Sequence, residues 1–109
     1  MKSETLHPGW SVQIVDDRLI ATFVGRLSTA DGRSSALEFA RCLREQPRHV
    51  VWDLGQMRGY EAGAREAWQS QLWPLREQIL SISVRGGGPF VRLGANTLAM
   101  ALGIALKDD

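Results

Sequence analysis

The alternation of apolar and polar residues divides the chain into seven segments. Ser11–Val15 and Leu19–Val24 are short β-branched or apolar runs flanking Asp16-Asp17-Arg18. That pattern predicts an antiparallel hairpin with a polar turn, closed by Gly25. Between Gly25 and Pro47, Ala36, Leu37, Ala40 and Leu43 follow helical spacing while Arg33, Arg41, Arg44 and Glu45 are polar, which predicts a first helix. Ser35 with Glu38 is a candidate capping box, and Ser28 or Asp31 are equal candidates for an earlier start. His49–Leu54 puts Val50, Trp52 and Leu54 on one face and His49, Val51 and Asp53 on the other, predicting a central strand. After Gly55-Gln56-Met57-Arg58-Gly59, expected as a turn, Ala64, Trp68, Leu72, Leu75 and Ile79 form the apolar stripe of a second helix. Pro74 is expected to kink or restart that helix around Trp73. Leu80–Arg85 alternates strictly, the mark of a strand covered on one side only. A third helix is expected from about Pro89 to Leu106, with the proline where its missing N–H does no harm.

The order is therefore β-β-α-β-α-β-α, an α/β fold with a mixed four-stranded sheet. Right-handed crossovers put both crossover helices on one face when strand order does not reverse. The polar sides of the last two strands, Ser81, Ser83 and Arg85 with His49 and Asp53, agree with helices mainly on one face. Neither repeats nor a linker divide the 109 residues, so one domain with its core at about 11–106 is expected.

Composition narrows the function. With 44% apolar and 23% charged residues the chain matches an ordinary soluble domain. A domain this small has little room for both a core and a deep substrate cavity, which leans against an enzyme. Thirteen Lys and Arg against twelve Asp and Glu leave +1, and the basic residues are scattered from Lys2 to Lys107, so no nucleic-acid footprint is present. Cys42 is a single cysteine and cannot form an internal disulfide, and Met1–Thr5 lacks the apolar stretch of a secretory signal; a cytoplasmic location is expected. Leu98–Leu106 is far shorter than the about 20 residues a membrane span needs.

The candidate chemistry is sparse. The two histidines, His7 and His49, have no Gly-x-Ser-x-Gly motif or paired ligand spacing to work with, and His49 and Asp53 are separated by about 13 Å along one strand. No catalytic residue, metal or cofactor is expected, and Cys42 reads as a structural thiol. Asp53, Arg58, Tyr60 and Glu61 lie at the carboxyl end of the central strand, where ligands of open α/β sheets gather. They are the candidate partner-binding surface, against a plainer reading in which Asp53 caps a loop and Arg58 and Glu61 are solvated. Gly87 and Gly88, ahead of a helix and flanked by Arg85 and Arg92, are a candidate anion site, against the plainer reading of a flexible turn. Trp52 and Trp68 fall on apolar faces, whereas Trp10 and Trp73 lie off any stripe, which makes Trp73 an interface candidate against a role in covering Pro74. Leu98, Met100, Leu102, Ile104 and Leu106 point around most of the last helix, and Ala95, Ala99 and Gly103 form a small-residue ridge. A homodimer through Leu98, Met100 and Leu102 is expected, with contact at a membrane surface as the weaker alternative.

His49–Leu54 running on through Gly55 to Tyr60, together with Ile82-Ser83-Val84 and Gly88–Ala95, resembles a STAS-type domain, the fold of anti-sigma factor antagonists and of the cytosolic tails of sulfate transporters. The short bacterial SpoIIAA-like members are the most similar. The resemblance implies a non-enzymatic, regulatory protein-interaction module with a protein partner. It also implies a phosphorylatable serine capping the helix after the Asp-Leu pair, here Asp53-Leu54. The positions of that Asp-Ser-Ser-Gly segment read Glu61-Ala62-Gly63-Ala64, without a hydroxyl, so no serine phosphoswitch is expected. The alternative is a carrier or sensor of a lipid or other small apolar ligand, suggested by the apolar last helix and a loose similarity to lipid-carrying CRAL-TRIO folds.

Overall fold

The computed structural model describes residues 4–7 and 9–109, with side chains from Gly9 onward. Met1–Ser3, part of the segment considered for a leader, lie outside the described residues. The elements are β1 (Glu4–His7), β2 (Trp10–Val15), β3 (Arg18–Leu27), α1 (Thr29–Glu45), β4 (Arg48–Tyr60), α2 (Ala62–Leu72), a 3-10 turn (Trp73–Gln78), β5 (Ile79–Arg85), α3 (Pro89–Ala101) and β6 (Leu106–Asp108). One six-stranded sheet takes the strands in sequence order. The first three run antiparallel, and β3 to β6 are mutually parallel.

The predicted hairpin is present, with Val15 paired to Arg18 across Asp16, whose φ is 56°. The structure adds two edge strands to the expected four. One of them, β6, corrects the expected span of the last helix. α3 stops at Ala101 because Gly103 takes φ 76°, so that the Gly103 N–H donates to the Met100 carbonyl and the Ile104 N–H to the Ala99 carbonyl. That pair of bonds is a Schellman stop, and it releases Leu106–Asp108 to pair with β5. At the start of α1 the earlier candidate cap is the one used: Ser28 Oγ accepts from Asp31 N at 3.1 Å, leaving Ser35 inside the helix and buried. Pro74 ends α2 as expected, and the chain continues as the 3-10 turn before Ile79 opens β5.

The core lies between the sheet and the three helices. Val12, Ile14, Leu19, Ala21, Phe23, Val50, Trp52, Leu54, Ile82 and Val84 supply the strand side; Phe39, Leu43, Trp68, Leu72, Leu98 and Leu102 supply the helix side. Trp10 belongs to this core, because β2 begins one residue earlier than the alternation of Ser11–Val15 suggests. Trp68 is the hub: its ring packs on Phe39 at 4.8 Å and edge-on to Phe23 and Trp52, and its Nε1 donates to Ser35 Oγ at 3.0 Å. α1 and α2 approach closely at two glycines. A Cβ on Gly32 would come within 2.5 Å of Ala64, and one on Gly63 would meet Thr29 at 2.6 Å.

On the opposite face Ser81, Ser83, Arg85, His49 and Asp53 remain partly exposed, with no helix over them, as the alternation predicts. Ion pairs span this open face, the Asp109 carboxylate accepting from both Arg18 and Arg85. Those two guanidiniums hold the Asp109 carboxyl below its ordinary range, Arg85 contributing more. Among the described residues no helix is long and apolar enough to cross a membrane.

Candidate functional site

The end of β4 is where the structure departs most from the expected turn. Thr22 pairs with Asp53 and Leu27 with Tyr60, so five steps along β3 match seven along β4. Two extra residues are absorbed in irregularities, one between Asp53 and Gln56 and one between Met57 and Gly59. Gly55 and Gly59 lie in these stretches, where a strand kinks most easily. Gly55–Gly59 is thus a bulged continuation of the strand. Each bulge turns a two-residue alternation into a step of three, so Leu54, Met57 and Tyr60 all face the helices, while Gln56 and Arg58 are exposed.

This re-aiming makes two concavities. On one side, Val24, Gly25, Arg26, Gly55, Gln56, Met57 and Arg58 line a groove of about 590 Å³. Arg26 and Arg58 are both exposed, and neither forms a hydrogen bond or ion pair with another described residue. On the helix side is a cavity of about 60 Å³ with almost wholly apolar walls. Phe23, Leu27, Trp52, Leu54, Trp68 and Leu98 form much of it, with Met57, Tyr60, Val91, Gly94, Ala95 and Arg65 toward the α2 and α3 sides. Tyr60 stacks on Phe90 at 5.4 Å and lies so close over α3 that any Cβ at Gly94 would collide with its phenol.

Of the four expected partner-binding residues, Arg58 is exposed and has no hydrogen bond or ion pair with another described residue. Asp53 Oδ1 accepts from Gly55 N at 3.1 Å, the local turn-closing role. Glu61 Oε1 accepts from Thr29 N at 2.6 Å, which ties the start of α2 to the start of α1 and lowers the carboxyl's pKa. Tyr60 belongs to the cavity wall. Arg26, at the end of β3, escaped notice because only the bulged register brings it beside Arg58.

The candidate anion-binding groups are engaged within the chain. Arg92 donates to the Gly86 carbonyl at 2.9 Å and to Asp108, and Arg85 donates to Asp109. Gly87 packs against Leu54 and the Arg92 stem, and Gly88 is the N-cap of α3. Of the residues expected at a dimer contact, Leu98 and Leu102 are buried in the chain's own core, while Met100 is 69% exposed. Phe90 and Leu93 are the other exposed apolar residues of α3. Trp73 is exposed, with the Arg76 guanidinium 3.9 Å over its ring. Cys42 is buried, which pushes its thiol pKa up and away from nucleophilic reactivity.

Sequence reasoning missed one polar cluster because its members are distant in the chain. His49 Nδ1 is 2.7 Å from Ser81 Oγ, and its Nε2 is 3.5 Å from Asp17 Oδ2. The cluster is on the open sheet face, and none of its members lines the groove or the cavity. Among the described residues no group of three His, Cys, Asp or Glu side chains is placed to hold a metal.

No family model and no curated protein sequence matches the chain. Its structure is similar to that of the anti-sigma factor antagonist SpoIIAA in its unphosphorylated form, with a TM-score of 0.69 at 9% identity over 93% of this chain and 89% of that one. It is similar also to an uncharacterised protein with a SpoIIAA-like fold from Shewanella loihica, with a TM-score of 0.68 at 12% identity over 100% of this chain and 87% of the other. Identities this low speak to architecture alone, and on that ground the chain has a SpoIIAA-like fold.

Proposed function

We propose that the chain is a non-enzymatic, STAS-type regulatory module that binds an acidic surface of a protein partner through the groove between the ends of β3 and β4. The supporting observation is the pair Arg26 and Arg58, two exposed guanidiniums bordering one groove, neither of them in a hydrogen bond or ion pair with another described residue, although Arg26 acts through space on the Glu61 carboxylate. A guanidinium fork matches a carboxylate in geometry as well as charge, so an unpaired pair at a concave strand end favours an acidic ligand surface. Val24 and Met57 give the same groove an apolar floor, the mixture typical of a contact patch. Control by a serine phosphoswitch has no acceptor here, since Asp53 to Trp68 contains neither Ser nor Thr.

Charge reversal tests this reading. Protein captured from the source cells on the immobilised chain should be lost, by about tenfold or more, with R26E/R58E and kept with R44E. Arg44 is exposed in the last turn of α1, near the opposite end of β4, and is a fair control. Equal capture by all three proteins would refute the groove as the contact.

A further inference from the structure

The apolar cavity behind β4 has a cation at its edge. Its walls expose almost no polar surface, so Arg65, one of the lining residues, presents its methylene stem inward and its guanidinium at the rim. That guanidinium has no ion-pair or hydrogen-bond partner among the described residues. Glu61, one turn earlier on the same side of α2, has its carboxylate directed at Thr29 instead. Trp52, another lining residue, is 3% exposed, and its Nε1–H is buried with no acceptor among the described residues. A buried donor without an acceptor is costly, whereas Trp68, the neighbouring indole, has Ser35. The site therefore combines an apolar cup with a cation at its edge that has no ion-pair or hydrogen-bond partner among the described residues.

We propose that this cavity is a binding site for a short aliphatic carboxylate, with its alkyl body among Phe23, Trp68 and Leu98 and its carboxylate at Arg65. Size sets the class. An apolar cavity of about 150 Å³ holds a benzene ring, and about 60 Å³ holds less than half of that, a chain end of a few carbons. Charge sets the head group, because a neutral molecule would leave Arg65 unmatched. The access side is bounded by Met57 and Tyr60, both partly exposed, so a ligand can enter without opening the core. Met57 is also a wall of the groove, which puts the bound acid directly behind the proposed partner surface.

The test is a titration of the intact chain with butanoate, hexanoate, decanoate and butan-1-ol, followed by the four indole N–H signals in a nitrogen-correlated NMR spectrum. The Trp52 signal is assigned by its disappearance in W52F. Butanoate and hexanoate should move the Trp52 signal saturably. R65Q should weaken both acids about tenfold and leave butan-1-ol unchanged, since one charge-assisted contact is removed. A95M, which fills the cavity, should abolish the shift with far-ultraviolet circular dichroism unchanged. Should A95M fail to fold, R65Q alone carries the decision, because its guanidinium is outside the core. Absence of any saturable shift, equal affinity in R65Q, or binding confined to decanoate would each overturn the assignment.

Discussion

Single polar side chains inside the core show how narrowly the fold is specified. Ser35 is fully buried, accepts the indole N–H of Trp68 and donates to the Gly32 carbonyl at 3.1 Å. Replacing it by alanine leaves the Trp68 donor unpaired, so S35A should lower unfolding stability by about 1–3 kcal/mol in urea titration. A change below a few tenths would mean the pair is incidental. Asp109 gives a pH-dependent counterpart on the surface. Its folded pKa is depressed below the ordinary 3.8 by Arg85 and Arg18, so its contribution is present above that value and disappears as pH falls through the lower folded one. D109N should therefore flatten the acid limb of the stability profile and change little at neutral pH beyond a constant offset; an unaltered acid limb would show that the ion pairs are inert. In the sequence Ser35 is one of three candidate caps, with Ser28 and Asp31 as equal candidates for an earlier start. Its partner, Trp68, is thirty-three positions away, and nothing local distinguishes a capping serine from one that satisfies a buried indole.

Elements were predicted best where one period persists. The alternation of β4 through Leu54 survives in the structure, and of the stripe Ala64, Trp68, Leu72, Leu75 and Ile79 the first three stay on α2, whereas Leu75 falls in the 3-10 turn and Ile79 opens β5. The errors fall where the period changes. Gly55 and Gly59 suggest a turn, but here they are glycines of a bulged strand, held because β3 continues to pair as far as Leu27. Tertiary pairing of that kind leaves no local trace. In α3 the run of apolar residues to Leu106 hid a stop that Gly103 alone announces. The bulges matter because they aim Tyr60 at α3, which only a glycine at position 94 accommodates. G94A should displace the Tyr60 ring and cost about 1–3 kcal/mol as an overpacked contact. Loss of the Tyr60 contribution to the near-ultraviolet circular dichroism spectrum, compared with Y60F, is the accompanying readout; an unperturbed spectrum and stability would show that the tyrosine has room.

At the scale of the whole molecule, the one-sided sheet follows from Ser81, Ser83 and Arg85, and the structure bears it out. The resemblance to a SpoIIAA-like fold carried by His49–Tyr60, Ile82-Ser83-Val84 and Gly88–Ala95 in the order β-β-α-β-α-β-α agrees with the structural similarity, with β1 and β6 as additions at the two edges. The sequence points to the carboxyl end of β4, where parallel sheets expose their loops, and both the groove and the cavity lie at that end. The composition of the site was not legible. Asp53 and Glu61 are engaged with neighbouring backbone, Tyr60 faces the cavity, and Arg26 joins Arg58 through a register that sequence alone does not disclose. The account thus rests on the two unpaired guanidiniums of one groove. The most direct measurement is site-specific photo-crosslinking in the source cells, with a photoreactive residue at Gln56, between the arginines, and at Arg44 as a control. The account predicts one discrete protein adduct from position 56 that R26E in the same chain suppresses, and none of that mass from position 44. The same adduct from both positions, or one from position 56 that is indifferent to R26E, would contradict it.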